Sequence, residues 1–244
     1  MKLHKKVAKL FGYELIRRKR HPSLESHLIN LITKYKIDLV LDVGANHGQF
    51  GNKLRNEGYK GEIHSFEPVR NSFEKLQEIC KKDKQWFAHQ VAMGDVRCRE
   101  SIYIPSSSKL SSFLELNVFG KERYKDTGVS DKESVEVLTI DWFLNEKIKD
   151  FAGRRIFLKI DTQGYDLKVF NGAINSLRQI VCLLSEISVV PIYEDMPHYL
   201  GVLKRYEEHG FAVTGFYPIS RKEDMSIIEV DCTLINNKHI ERTV

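Results

Sequence analysis

The chain has 244 residues, 42% of them hydrophobic, and a formal net charge of +5 at pH 7. This length is typical of one α/β domain with a single core. No stretch approaches the roughly 18 consecutive apolar residues that cross a bilayer, and the N-terminus lacks the apolar segment of a secretory signal, so we expect a cytoplasmic protein. The cysteines form no C-x-x-C pair and are expected to be reduced, holding neither zinc nor disulfides: Cys80, Cys98, Cys182 and Cys232.

The positive charge is concentrated at the N-terminus. Residues 1–21 contain eight Lys or Arg side chains and one acid, a net charge of +7, so the remainder carries −2, which is not typical of a nucleic-acid-binding domain. Apolar residues at three- and four-residue steps predict a basic amphipathic helix over residues 3–16. This helix either contacts an anionic membrane surface or a partner, or docks on the chain's own domain. We assign residues 1–36 to a basic helical extension with a second helix over 24–34.

Beyond Asp38, β-branched runs alternate with helical stretches, a pattern typical of βαβ units and a largely parallel sheet. The predicted strands are residues 39–43, 62–66, 86–92, 155–160 and 180–187. The predicted helices are residues 49–56 and 71–81, with a third one starting at 165–170. The less regular, serine-rich region 97–136 predicts a hairpin plus a long loop, and long loops in compact domains often bind ligands.

The C-terminal part predicts a different pairing. Residues 211–216 and 227–235 are strands whose connection is too short for the crossover that a parallel pair requires, so they should form an antiparallel hairpin. We therefore predict an α/β, Rossmann-like fold: a mostly parallel seven-stranded sheet that ends in an antiparallel hairpin, with helices on both faces.

A turn over residues 42–48 follows the first predicted strand with the pattern Asp-x-Gly-x-Asn-x-Gly. Gly44 and Gly48 let the backbone bend sharply and approach a ligand where a Cβ would intrude, and the next helix N-terminus can receive a polar group. Asn46 stands where a dinucleotide fingerprint needs glycine, which disfavours tight pyrophosphate binding. Asp42 can instead accept a hydrogen bond from the ammonium of S-adenosylmethionine. The alternative is an ordinary turn with no ligand.

Two further strand ends complete a nucleoside-binding pattern. Glu67, followed by Pro68, ends the second predicted strand, where a carboxylate can accept hydrogen bonds from ribose hydroxyls. Met93 and Asp95 follow the third predicted strand, and Asp95 can accept from the adenine amino group. We therefore predict S-adenosylmethionine as the cofactor, with these contacts: Asp42, Gly44, Asn46, Gly48, Glu67, Pro68, Met93 and Asp95.

With these motifs the chain resembles the FkbM family of methyltransferases over about residues 39–187. The resemblance rests on residues 41–48, 66–68, 91–95 and 158–166. It implies a class I methyltransferase domain over residues 37–244 that methylates a hydroxyl, often of a sugar in a glycolipid, a polysaccharide or a natural product. The family usually has a glutamate where this chain has Gln163, so whatever that charge contributes is missing here.

Two carboxylates are the candidate catalytic groups. Asp161 follows a buried strand, and Glu186 occupies the corresponding end of the next one, so both should lie at the edge where open α/β sheets bind ligands. An alcohol becomes a good nucleophile when a base or a metal takes up its proton. We predict Asp161 as the base and Glu186 as the orienting group. Alternatives are a divalent cation such as Mg²⁺ shared by both, or structural and substrate-positioning roles.

The methyl acceptor is expected to be a glycan or another small molecule. Ser111 and Ser112 of the long loop and Tyr193, which could pack on a sugar face, are the candidate acceptor contacts. A nucleic-acid methyltransferase is the first alternative, motivated by the basic N-terminus, but the segment after the strand at 155–160 lacks the Asn/Asp-Pro-Pro-aromatic motif of enzymes that methylate base amino groups. The second alternative is a non-catalytic module that binds S-adenosylmethionine, motivated by Gln163.

Overall fold

A computed structural model describes residues 7, 8, 10–13, 22–106, 110–124 and 129–240. The predicted basic helix over residues 3–16 lies largely outside the described residues. The second predicted helix is confirmed as α1, Leu24–Lys34, which begins where the Ser23 side chain accepts a hydrogen bond from the Ser26 N–H. Within the described residues, no helix is both long and apolar enough to cross a membrane.

The strands and helices after α1 alternate as the sequence predicts. The strands are β1 Leu39–Val43, β2 Glu62–Phe66, β3 Trp86–His89, β4 Ala92–Met93, β5 Cys98–Pro105, β6 Val129–Leu138, β7 Ile156–Ile160, β8 Ile180–Ser188, β9 Phe211–Arg221 and β10 Ile227–Asn236. The helices are α2 Gln49–Asn56, α3 Arg70–Cys80, α4 Val118–Arg123, α5 Ile140–Lys147, α6 Asp166–Asn171 and α7 Tyr199–Glu208.

The main sheet has seven strands in the order β3-β2-β1-β7-β8-β10-β9. Its strands are parallel except β10, which runs antiparallel to both β8 and β9. Alternating side chains bury both faces: Leu39 and Leu41 pack with α5, α6 and α7, whereas Val40 packs with α1, α2 and α3. The predicted α/β Rossmann-like fold with a C-terminal antiparallel hairpin and helices on both faces is confirmed.

The third predicted strand is wrong in its extent. The chain leaves the main sheet after His89, and Ala92 and Met93 pair instead with Val137 and Leu138 of β6. Together β4, β6 and β5 form a separate three-stranded sheet. Its β5/β6 pair is the hairpin predicted within residues 97–136, with α4 in the connection. The division escaped prediction because residues 86–92 contain no glycine or proline that would mark the end of a strand, while their hydrogen-bonding partners change.

A pair of histidines, the buried His64 and the half-buried His89, links β2 and β3. His64 Nε2 lies 2.8 Å from Glu62 Oε1, and His64 Nδ1 lies 2.8 Å from His89 Nε2. If His64 donates to Glu62, its Nδ1 is the acceptor for His89, and both rings are neutral. Burial, together with the charges of His64 and Lys147, lowers the pKa of His89 to about 4, and burial lowers the pKa of His64 against the opposing effect of Glu62.

We expect this pair to make folding sensitive to acid. Because the unfolded histidines take up protons near pH 6.5 and the folded ones resist until a lower pH, their contribution is complete above pH 6.5 and is lost as the pH falls towards 4. Between pH 7.5 and 5, His89 alone should cost about 2 kcal/mol of unfolding free energy. Urea unfolding of the wild type and of the double variant His64→Phe/His89→Phe at both pH values measures the difference. Equal losses in both proteins would contradict this assignment.

Candidate active site

One cavity of about 450 Å³ opens at the carboxyl ends of the central strands. A volume of this size suits a small organic ligand. Towards β2 and the small sheet it is lined by Gly44, Asn46, Glu67, Pro68, Met93 and Ser111; towards α1, α2 and β10 by Leu24, Leu28, Phe50, Lys53, Leu184 and Asp231. Lys159, Asp161, Gln163 and Glu186 of β7, β8 and the turn after β7 also line it.

The glycine-rich turn is shaped by the neighbouring strand. Gly44 has a φ of 73°, and a Cβ added there would lie 1.8 Å from the carbonyl oxygen of Asp161. Gly48 has a φ of 79°, and a Cβ there would be in tight contact with Leu76 at 3.0 Å and with the Trp86 ring at 3.2 Å. Packing against the protein itself therefore requires both glycines, whereas the sequence suggested close approach to a ligand. Gly44 lines the cavity; Gly48 lies behind it, at the start of α2.

Glu67 is held rigidly at the cavity wall. Its Oε2 accepts a hydrogen bond of 2.8 Å from the Asn46 N–H, and its Oε1 accepts one of 2.9 Å from the Val69 N–H. Burial raises the pKa of Glu67 to about 7 against the opposing effect of these two N–H groups. A carboxylate has about four lone-pair sites, so each oxygen retains one for a ligand hydroxyl. This geometry suits the predicted recognition of a ribose diol.

The other predicted nucleoside contacts divide into two groups. Pro68 and Met93 line the cavity, together with Asn46. Asp95 does not: its Oδ2 lies 3.0 Å from the Lys168 ammonium, and it follows the short strand β4 in the small sheet. The adenine contact assigned to Asp95 thus lacks the cavity position that the sequence suggested, because the third strand of the main sheet ends at His89.

Asp42 is fully buried and does not line the cavity. It accepts a 2.9 Å hydrogen bond from the Ser65 hydroxyl, which in turn accepts from the Trp86 indole N–H at 2.9 Å. The Lys159 ammonium lies 3.2 Å from its other oxygen. Ser65, Asp42 and Lys159 are register partners across β2, β1 and β7, so they form one polar row in the sheet. Asp42 therefore influences the cavity indirectly, because it pairs with Lys159, which lines the cavity.

Lys159 lies within the segment 158–166 that carries the family resemblance, but it was not among the predicted site residues. It is 6% exposed, donates to the carbonyl of Gly44 at 2.9 Å, and lies 3.4 Å from Asp161 Oδ2. Burial tends to lower its pKa, but the charges of Asp161 and Asp42 outweigh burial and raise the pKa, so Lys159 is a cation. A lysine within an otherwise apolar buried strand was the signal that could have revealed it.

Gln163 joins the two predicted catalytic carboxylates. Its Nε2 lies 3.3 Å from Asp161 Oδ1 and 3.1 Å from Glu186 Oε1. The Tyr193 hydroxyl donates to Gln163 Oε1 at 2.9 Å, which fixes the amide orientation, and Ser112 Oγ donates to the Gln163 carbonyl at 2.7 Å. The structure thus brings Asp161 and Glu186 together, as predicted, through the residue that departs from the family pattern.

The predicted acceptor contacts have different positions. Ser111 and Ser112 line the cavity. Tyr193 does not: it is 2% exposed and lies beneath Gln163 instead of presenting its ring to the cavity. Its predicted stacking on a sugar face thus has no counterpart in this geometry, because Tyr193 is packed with Leu116 and Ile192 in a small apolar cluster.

Asp231 of β10 is a further site residue that the sequence motifs missed. It faces Glu186 across the β8/β10 ladder and lines the same cavity. Burial, followed by the charge of Asp161, raises the pKa of Asp231 to about 6. Burial and the charges of Asp161, Glu229, Asp166 and Asp231 raise the pKa of Glu186 well above its usual range. The cavity floor therefore concentrates carboxylates that oppose one another's ionisation.

The contacts between Asp161 and Glu186 do not fit a shared metal ion. The space between the two carboxylates is bridged by the Gln163 amide N–H₂, a donor that would repel a cation. Among the residues that the structure describes, no group of three or more His, Cys, Asp or Glu side chains is arranged to hold a metal. Mg²⁺ shared by Asp161 and Glu186 is therefore not supported by this geometry.

Comparison with known families agrees with the resemblance seen in the sequence. A model of the methyltransferase FkbM domain matches residues 42–213, more than half of the chain. The chain belongs to the FkbM methyltransferase family. The match runs from the end of β1 to the start of β9 and so includes the Gly44 turn, Glu67, Asp161 and Glu186. Comparison with curated proteins finds no match.

Solved structures similar to this FkbM-family chain include several methyltransferases. A precorrin-6y C5,15-methyltransferase from Geobacter metallireducens is 11% identical, with 91% of this chain and 92% of that chain covered and a TM-score of 0.44. TrmK from M. capricolum in complex with S-adenosylhomocysteine is 11% identical, with 87% and 71% covered and a TM-score of 0.47. The assignment to the family rests on the sequence match and not on these structures.

Substitution of Gly44 should disrupt the site. We expect Gly44→Ala to lower the unfolding free energy by about 3 kcal/mol or more, because the new Cβ would overlap the Asp161 carbonyl and because alanine disfavours a positive φ. Gly153→Ala is the matched control, since a Cβ there meets nothing within 4 Å. Chemical denaturation of both variants tests this; a Gly44→Ala protein as stable as the control would show that β1 and β7 are not packed as described.

Proposed function

We propose that this protein transfers the methyl group of S-adenosylmethionine to a hydroxyl oxygen of a glycan or small-molecule acceptor. The observation that carries the proposal is one cavity with two chemically distinct parts. Glu67, held by two backbone N–H groups, lies in one part, and the linked Asp161–Gln163–Glu186 group lies towards the other. The first part suits a nucleoside and the second suits a hydroxyl that must lose a proton.

The residues around Glu67 fit the cofactor. A diol needs two acceptors at fixed spacing, and the carboxylate oxygens of Glu67 supply them in a wall that Pro68 and Met93 extend with apolar surface. When bound there, S-adenosylmethionine supplies an electrophilic methyl group on a sulfonium. The protein has to place the acceptor in line with that group and manage one proton.

Asp161 is the group best positioned to accept the proton. Its side chain is 39% exposed and lines the cavity, whereas Asp42 is fully buried. The contacts from Lys159 and Gln163 hold its carboxylate in one orientation. In the reaction the acceptor oxygen forms a bond to the methyl carbon, the bond from carbon to sulfur breaks to leave a neutral thioether, and the hydroxyl proton passes to Asp161 and then to solvent.

The charge of the cavity favours such an acceptor over nucleic acid. Asp161, Glu186 and Asp231 all line the cavity, and a phosphate backbone that entered it would meet these carboxylates. Affinity for nucleic acid depends mainly on Lys and Arg side chains that neutralise phosphates. Lys159 is not available for this role because it is already paired with Asp42 and Asp161. The acidic floor therefore supports a non-anionic acceptor.

The role of Asp161 can be tested by Asp161→Asn. We expect more than a 100-fold loss of turnover, because the amide cannot accept the proton, with affinity for S-adenosylhomocysteine unchanged within about threefold. Labelled methyl transfer to a panel of glycan and natural-product hydroxyls identifies an acceptor and then measures the rates. Asp150→Asn, at an exposed turn, is the matched control. A variant that retains more than about a third of the wild-type rate would rule out Asp161 as the base.

Cofactor affinity should depend on pH through Glu67. Because its pKa is raised to about 7, the ionised form that accepts both ribose hydroxyls is depleted as the pH falls below 7. From pH 8 to pH 6 we expect affinity for S-adenosylhomocysteine to fall about tenfold, whereas Glu67→Gln should bind more weakly and show little pH dependence. Calorimetric titration at both pH values is the measurement. A flat wild-type profile would exclude Glu67 as the ribose acceptor.

A further inference from the structure

A row of carboxylates crosses the cavity floor where the acceptor has to lie. Glu186 on β8 faces Asp231 on β10 in the antiparallel ladder, and Gln163 links Glu186 to Asp161 at the end of β7. All three carboxylates line the cavity. A role for these carboxylates in acceptor selection requires that the protein transfers a methyl group, so the following inference rests on the proposed function.

The lysines that line the cavity already have acidic partners. Lys159 pairs with Asp42 and Asp161, and Lys53 of α2 forms an ion pair with Glu25 of α1 at 2.5 Å. Neither lysine is placed by these contacts against Glu186 or Asp231. Neither Glu186 nor Asp231 forms a described ion pair, and the charges of Lys159 and Lys53 only partly offset the rise in the pKa of Asp231.

The surroundings of Glu186 and Asp231 oppose the ionisation of both groups. Burial and neighbouring carboxylates raise the pKa of both Glu186 and Asp231, the latter to about 6. A ligand cation placed between them would favour ionisation of both groups and gain two charge-assisted hydrogen bonds. A neutral ligand would leave the pKa of both groups raised, and an anionic ligand would raise it further.

The cavity wall beside Asp231 is largely apolar. Leu24 and Leu28 of α1, Phe50 of α2 and Leu184 of β8 line this side of the cavity. Such a wall buries carbon–hydrogen surface, and the floor takes polar groups, so the ligand has an apolar face and a charged edge. A compact ring that bears an amine combines such an apolar face with such a charged edge.

We propose that the methyl acceptor is an amino alcohol, such as an amino-substituted sugar or cyclitol. Its protonated amine binds between Glu186 and Asp231, its carbon skeleton packs on the Leu24, Leu28 and Phe50 wall, and the hydroxyl to be methylated lies beside Asp161. In this arrangement Asp231 determines specificity: it selects acceptors with an amine and takes no part in proton transfer.

Small ring compounds test the charge preference without knowledge of the natural acceptor. Protonated cyclohexylamine, cyclohexanol and cyclohexanecarboxylate share one ring and differ in charge. Their dissociation constants are measured at pH 7.5 by ligand-observed NMR on protein saturated with S-adenosylhomocysteine, which lacks the positive sulfur of the methyl donor. We expect the amine to bind at least tenfold more tightly than the alcohol and the carboxylate to bind most weakly.

Variants assign this preference to Asp231. Asp231→Asn should reduce the preference for the amine over the alcohol to less than threefold, with affinity for S-adenosylhomocysteine unchanged. The variant is expected to fold, because it removes a carboxylate whose raised pKa means that its ionisation opposes folding above about pH 6. Glu223→Gln, at an exposed position between β9 and β10, is the control and should leave the preference intact.

Four outcomes would overturn the proposal. The amine and the alcohol could bind equally well, the amine could fail to bind, or its preference could survive Asp231→Asn. Displacement of the amine by millimolar Mg²⁺ in an Asp231-dependent manner would instead identify a metal site and would equally overturn it. Failure of S-adenosylhomocysteine to bind at all would count against the proposed methyl transfer, so the two failures are distinguishable.

Discussion

The ammonium of Lys159, buried between Asp42 and Asp161, is the interaction on which the site depends. A charge so deeply buried is costly unless it is paired and hydrogen-bonded, and Lys159 meets both conditions through two carboxylates and the Gly44 carbonyl. These contacts join the turn after β1 to the end of β7. Loss of Lys159 would leave Asp42 as an unpaired charge in the sheet. The contributions of Lys159 and Asp42 to stability therefore depend on each other.

Much of the fold could be predicted from the sequence because both faces of the sheet are buried. The limits of β1, β2 and α2 follow from apolar runs and glycines that lie close together in the chain. The departure of β4 into the second sheet could not be predicted, since it depends on Val137 and Leu138, more than 40 residues away. Local pattern identifies a strand but does not select its partner.

The candidate site could be predicted where a side chain ends a parallel strand. Glu67, Asp161 and Glu186 follow this rule and line the cavity together. Asp231 escaped prediction because β10 runs in the opposite direction and brings a mid-strand residue to the same place. Tyr193 shows the converse error: its position in a loop suggested exposure, but long-range packing with Leu116 buries it under Gln163.

Gln163 changes the charge balance of the cavity floor. The family usually has a glutamate at this position, and a carboxylate there would face both Asp161 and Glu186 at about 3 Å. Three carboxylates so close together require a shared proton or a cation. The amide of Gln163 supplies two N–H donors to the same oxygens without adding charge, and Tyr193 keeps it in that orientation. The Asp161–Gln163–Glu186 link is therefore made by the protein alone and requires no cation. In the proposed complex, the positive charge of the acceptor lies next to this link, between Glu186 and Asp231.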